Sequence, residues 1–229
     1  MEGKRGIFYG VGVGPGDPEL ITMRALRVLE ACPVIAAPQT QNGEMLALDI
    51  ARGAAGLDHK HILPLRFPMG RGDRAAIYEE AARQVEAHLA RGEDVAMVNL
   101  GDVSIYATYG YLMERLRERG YETVMVPGVT SFSAVAARLG TSLAGMDVPL
   151  HIIPASAMSA GEALDLPGTK VLMKAGSRMD EVARLLADRQ LLERSALVAN
   201  CGLEGETVCR DLSRLPERLG YYTTVIVKE

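Results

Sequence analysis

Gly6-Ile7-Phe8-Tyr9-Gly10-Val11-Gly12-Val13-Gly14-Pro15-Gly16-Asp17-Pro18 is a short run rich in Ile, Phe, Tyr and Val that breaks into a glycine and proline turn. The pattern predicts a buried strand over residues 6–13 entering a tight turn. Asp17 stands where an N-cap carboxylate accepts orphan backbone N–H groups, and Pro18 suits the first helical position, where a missing donor costs nothing. A helix should follow, because Ile21, Ala25, Val28 and Cys32 recur at helical spacing until Pro33 ends it and residues 34–37 begin a second strand.

The alternation continues outward from this stretch. Residues 61–65 form a third strand candidate, and Ile77, Ala81, Val85 and Leu89 line one face of a helix ended by Gly92. The apolar run over residues 95–98 follows as a fully buried strand. Tyr109, Leu112, Met113 and Leu116 mark a further helix, closed by Gly120 before a strand over residues 123–126. Helix and strand in regular succession predict a parallel sheet with crossover helices. Beyond Pro127 strands become denser, over residues 151–153, 170–173, 196–199, 207–208 and 222–227, with one strong helix over residues 179–186. That half predicts a mixed sheet, and residues 155–169, bounded by Pro154 and Pro167, read as an exposed loop. The expectation is an α/β fold of two α/β domains, residues 1–127 with a parallel sheet and residues 128–229 with a mixed one.

Composition narrows the chemistry. The chain has 229 residues, 48% hydrophobic and 24% charged, as in an ordinary globular protein. With 25 Lys and Arg against 29 Asp and Glu, the net charge of -4 has the wrong sign for a protein whose main partner is a phosphate backbone, so no nucleic-acid partner is expected. The three cysteines, Cys32, Cys201 and Cys209, form no CxxC pair. They suggest neither a disulfide framework nor a zinc site, and a reducing cytoplasm fits them. No apolar run approaches the ~18 residues of a membrane span, and the polar start precedes a glycine-rich strand rather than a signal segment. No membrane partner and no metal are expected.

Gly10, Gly12, Gly14 and Gly16 alternate, but the spacing fails GxGxxG, and GK[ST], HExxH and GxSxG are absent. What remains is positional. Loops follow the first strand (Gly14-Pro15-Gly16-Asp17), the strand at 95 (Leu100-Gly101-Asp102-Val103-Ser104) and the strand at 123 (Pro127-Gly128-Val129-Thr130-Ser131). If the strands are parallel, these loops share the ligand-binding edge. Gly101 and Gly128 would let backbone approach a ligand, Asp102 supplies a carboxylate, and Thr130-Ser131 open a helix whose N–H groups suit an anion. Each loop taken alone also reads as a capped turn, with Asp102 a helix N-cap. Cys201 and Cys209 read as buried small side chains, and His59, His61, His88 and His151 as structural or surface residues. Arg66, Arg71 and Arg74 form either a solvated stretch or an anion-binding one.

At these loops the sequence resembles the tetrapyrrole methylase family, the class III S-adenosylmethionine (SAM) methyltransferases. Residues 10–20 (GVGVGPGDPEL), 65–69 (LRFPM), 101–108 (GDVSIYAT), 127–139 (PGVTSFSAVAARL), 151–155 (HIIPA) and Met173-Lys174 carry the likeness. The closest likeness is to the branch that methylates C20 of precorrin-2 or cobalt-precorrin-2 in cobalamin biosynthesis. The resemblance implies a SAM cleft between the two domains, with SAM as cosubstrate held by Pro15, Leu100, Gly101, Asp102, Ile105, Thr130, Ser131, Met173, Cys201 and Gly202. It leaves Asp102, Tyr106 and His151 as candidates for proton transfer, and Arg24, Arg66, Arg71, Arg74 and Lys174 as partners for the tetrapyrrole carboxylates. It also implies a homodimer. The acidic residue that uroporphyrinogen-type methylases carry after the second strand is replaced by Ala37-Pro38, so that proton acceptor does not transfer. Other enzymes of the fold, acting at another precorrin position or on RNA or protein, and a non-catalytic SAM sensor are the alternatives.

Overall fold

The computed structural model describes residues 4–67, 73–155, 160–216 and 219–228. The chain divides into two compact units, residues 1–130 and 131–229. In the first, strand β1 (Phe8–Gly12), a one-turn 3-10 helix (Pro18–Leu20), α1 (Met23–Ala31), β2 (Val34–Gln39), α2 (Leu46–Ala54), β3 (His61–Arg66), α3 (Arg74–Leu89), β4 (Val95–Asn99), α4 (Tyr109–Glu118) and β5 (Thr123–Val126) follow in order. The sheet runs β3-β2-β4-β1-β5 and every pairing is parallel, as the alternation predicts. Strand β4, between two neighbours and under helices on both faces, is buried throughout.

Alternating side chains decide which helix covers which face. Phe8, Val34, Ala36, Val95 and Met97 share a core with Ala81, Ala82, Val85 and Leu89 of α3 and with Tyr109, Leu112 and Leu116 of α4. The intervening residues Val11, Ile35, Ala37, Ala96 and Val98, also buried, point to the other face, where α1 and α2 pack. Helix α2 is an element that the sequence reading left unassigned; its buried Ala47, Leu48, Ile50 and Ala51 form the expected apolar stripe. Helix α1 starts later than expected. Asp17 Oδ1 accepts from Glu19 N at 2.9 Å and so caps the 3-10 turn, while Thr22 Oγ1 accepts from Ala25 N at 3.1 Å and caps α1. The 3-10 turn is held by packing on α2, where Pro18 lies so close that a Cβ on Gly53 would fall 2.6 Å from its ring.

The second unit contains α5 (Ser131–Leu139), β6 (Leu150–Pro154), α6 (Ala160–Leu164), β7 (Thr169–Met173), α7 (Met179–Asp188), β8 (Ser195–Ala199), β9 (Thr207–Cys209) and β10 (Thr223–Val227), with 3-10 turns at Gly176–Arg178 and Leu192–Arg194. Its sheet, β6-β7-β10-β8-β9, is mixed as expected: β6 and β7 are parallel, whereas β10 runs antiparallel to β7 and β8, and β9 to β8. Ile153, Leu172, Leu197, Val225 and Val227 pack with α6 and α7, and α5 packs on β8 and β10. The exposed loop expected over residues 155–169 is corrected. Ala163 and Leu164 of α6 are 1% and 4% exposed and belong to the core, an apolar pair too short to announce a helix by periodicity.

Candidate functional site

In the first unit the strand order reverses between β4 and β1, and α1 and α4 leave to opposite faces, which makes the carboxyl edge there the natural ligand site of an open α/β sheet. The loops after β1, β4 and β5 do meet at that edge. They are tied to one another by backbone. Gly14 N donates to Gly101 O at 3.2 Å and Gly101 N to Gly14 O at 2.7 Å. A Cβ on Gly128 would fall 2.3 Å from Gly101 O, and one on Gly12 would fall 2.7 Å from both Gly101 O and Gly128 N. Gly128, expected to admit a ligand, admits the Gly101 loop. Gly10 serves the face below, where a Cβ would sit 2.6 Å from the Tyr109 ring.

Asp102 joins the second and third loops. Its Oδ1 accepts from Ser104 N at 2.8 Å and from Ser104 Oγ, and its Oδ2 accepts from Gly128 N at 2.8 Å. Burial would raise its pKa, but these hydrogen bonds outweigh burial and hold the carboxyl below the usual carboxylate range. A carboxylate with both oxygens engaged and a lowered pKa is a poor proton acceptor, so the expected base becomes a clamp. It is not a helix N-cap either, since α4 begins seven residues later. Thr22 Oγ1, donating to Pro127 O at 3.4 Å, ties the third loop to the first.

Around this clamp, Pro15 and Gly101 are buried, Leu100, Ile105 and Thr130 are half-buried, and Ser131 opens α5. Tyr106 is 49% exposed with φ of 51°, a left-handed conformation costing about 1 kcal/mol or more for such a side chain, of the kind that collects at functional sites. Arg24 in the first turn of α1, Arg66 at the end of β3 and Arg74 at the start of α3 are exposed at the same edge of the unit, and none has an ion pair among the described residues. Arg71 lies outside the described residues.

In the second unit, Met173, Lys174, Cys201 and Gly202 share the edge where β7 and β8 end and β10 begins; Ala175 N donates to Thr223 O and Asn200 N to Tyr222 O, both at 3.0 Å. Lys174 and Asn200 are left-handed, at φ 57° and 53°. The turn after β8 is fastened by two residues that the sequence reading missed: Glu206 accepts from Gly202 N at 2.9 Å and from Arg138 Nε at 2.5 Å. Burial, with help from Glu206, pushes the Cys201 thiol up to about 11. His151 is not brought to this edge. It lies near the start of β6, and its Nε2 sits 2.8 Å from Pro167 O before β7, at the opposite end of both strands, so the proton-transfer role expected for it has no geometric support.

The profile of the Tetrapyrrole (Corrin/Porphyrin) Methylases matches residues 8–215. The chain is 33% identical over its whole length to the cobalt-precorrin-2 C(20)-methyltransferase of Salmonella typhimurium, 98% of which is covered. It is 29% identical to the precorrin-2 C(20)-methyltransferase of a Sinorhizobium species, with 97% of this chain and 95% of that protein covered. Among solved structures, the uroporphyrin-III C-methyltransferase of Thermus thermophilus, complexed with S-adenosyl homocysteine, superposes with a TM-score of 0.71 at 21% identity and 98% coverage of both chains. A match that spans both units, on an α/β architecture with the family's loops at the carboxyl edge, means that this chain belongs to the tetrapyrrole methylase family.

Proposed function

We propose that the protein is a SAM-dependent C-methyltransferase of cobalamin biosynthesis that methylates C20 of precorrin-2 or cobalt-precorrin-2. The observation that carries this reading is the likeness to C20-methyltransferases over 97–100% of the chain, whereas precorrin-4 C(11)-methyltransferases match 79% of it at 32% identity and 63% of it at 36%. The loop residues fit SAM in kind. Half-buried Leu100 and Ile105 offer apolar surface to an adenine, and Thr130 and Ser131 offer hydroxyls. When bound, SAM supplies a methyl group on a sulfonium, whose departure as a neutral thioether needs no acid.

The residues of the chain therefore bind, orient and exclude water. Gly14, Gly101, Asp102 and Gly128 hold the loops rigid, and Asp102 acts as a positioning residue. Tyr106 presents its hydroxyl at the strained loop and is the remaining candidate for proton transfer. On the second unit Met173, Cys201 and Gly202 contribute to the cofactor, and Lys174 to the substrate with Arg24, Arg66, Arg71 and Arg74. The protein works in the cytoplasm as a homodimer. Its three cysteines are free, as a reducing compartment requires, and a twofold pair is the commonest closed assembly. Incubation with SAM and precorrin-2, with and without cobalt in the ring, should add one methyl at C20, detected by mass and NMR. Addition at another carbon, or none with either ring, overturns the assignment. Sedimentation at micromolar concentration checks the dimer.

A further inference from the structure

Several arginines of the first unit are paired with carboxylates: Arg83 with Glu80 at 3.2 Å, Arg91 with Glu93 at 2.9 Å, and Arg119 with Glu79 and Glu86 at 2.5 and 2.6 Å. Arg66 differs. Its Nε donates to Gln39 Oε1 at 3.1 Å, and the two residues face each other in register as the last residues of β3 and β2. Gln39 Nε2 in turn donates to Gly43 O at 3.2 Å, which fixes the amide oxygen toward Arg66. A neutral acceptor orients a guanidinium without cancelling its charge. It takes the Nε edge only, leaving the end-on pair of Nη groups, a fork that matches a carboxylate.

The surroundings agree. Arg66 is exposed, has no carboxylate partner within 4.0 Å among the described residues, and lines a recess of about 620 Å3 beside edge strand β3 with Pro64, Ala76, Ile77, Glu80 and Gln84. Glu80, the one carboxylate in that lining, is taken by Arg83 and Gln84. The recess thus joins apolar wall, suited to the methylene stem of an acidic side chain, to an oriented cation for its head.

We propose that Gln39 is a positioning residue for substrate recognition, holding Arg66 with an uncharged amide so that the guanidinium grips a carboxylate side chain of the tetrapyrrole. This rests on the tetrapyrrole reading above and adds to it a residue and a mode of contact. The substitution Gln39→Glu separates recognition from structure, because it keeps an acceptor for Arg66 and satisfies a purely structural role, yet it neutralises the charge.

The test measures tetrapyrrole and SAM KM values, kcat and Tm for Gln39→Glu, Gln39→Met, Arg66→Ala and the Gln39→Glu/Arg66→Ala double variant, with binding of uroporphyrin by fluorescence as a second readout. Expected for Gln39→Glu is a rise of about tenfold in tetrapyrrole KM and uroporphyrin Kd, a weaker salt dependence, and unchanged SAM KM and Tm. Arg66→Ala should weaken binding at least as much, and the double variant no further. Unchanged tetrapyrrole affinity in Gln39→Glu, or an equal loss of SAM affinity, overturns the proposal while leaving C20 methylation intact. If precorrin-2 is not methylated but uroporphyrin binding shows the expected pattern, the C20 reading falls and the role of Gln39 stands.

Discussion

Asp102 shows how a side chain expected to bind cofactor and to move a proton can be engaged by its own loops. Its carboxylate satisfies Ser104 and the Gly128 amide across two loops, and removing it leaves part-buried donors without that acceptor. Asp102→Ala should cost about 1–3 kcal/mol of stability and weaken SAM binding by a comparable amount, measured by thermal unfolding and calorimetry. Unchanged stability would mean that the clamp is idle. Gly10 bears a different constraint. Gly10→Ala places a methyl group 2.6 Å from the ring of Tyr109, whose hydroxyl is anchored on Phe8 O and Val124 O at 3.0 and 3.1 Å. The ring has nowhere to move, so a loss of about 1–3 kcal/mol or more is expected in denaturant melts, with m unchanged.

At the scale of elements, the turn after β8 depends on Glu206 as much as on its own residues. Left-handed Asn200, Gly202 and Gly205 give it a course that Glu206 stabilises by accepting from Gly202 N while paired with Arg138. Burial and the Glu206 carboxylate keep the Cys201 thiol protonated at neutral pH. Glu206→Gln removes the negative charge and leaves the Arg138 cation, so the thiol pKa should fall and Cys201 should react faster with iodoacetamide at pH 8, read by mass spectrometry. Cys32, buried and pushed up to about 12, should stay unlabelled in the native protein. An equal Cys201 rate in wild type and variant would remove Glu206 from the control of this thiol.

For the molecule as a whole, pH and salt act through charge. The Asp102 carboxyl has a lower pKa folded than unfolded, so its contribution is present above the unfolded value near ~4 and is lost as pH falls through the folded one. Tm should hold from neutral pH down to about 5 and decline below about 4, with a shallower decline in Asp102→Asn. An identical acid decline in the variant would assign it to other groups. Against a net charge of -4, a polyanionic ring must be held by a local cluster of arginines, so tetrapyrrole affinity should fall steeply with salt while SAM affinity barely moves. Parallel loss of both would place the arginines in the cofactor site or the fold.

The two sheets, the class of each, and the meeting of three loops at one edge were legible in the residues themselves. Strands such as residues 95–98 and 123–126 are apolar runs with clear stops, and a parallel sheet leaves its loops only one carboxyl edge. Elements with weak periodicity were not legible: α6 is one short turn of helix, and α2 had its stripe but no cap signal. The roles of Gly12, Gly101 and Gly128 were also hidden, because what each glycine touches lies about 25 to 115 residues away in the chain. The same holds for Asp102 with Gly128, Gln39 with Arg66 and Glu206 with Arg138. Local pattern determines where a strand ends and which groups stand there, since it follows from backbone propensity and burial period. Whether a carboxylate clamps a loop, or an arginine keeps its charge, depends on a partner that only packing brings within about 3 Å, and no local pattern encodes that distance.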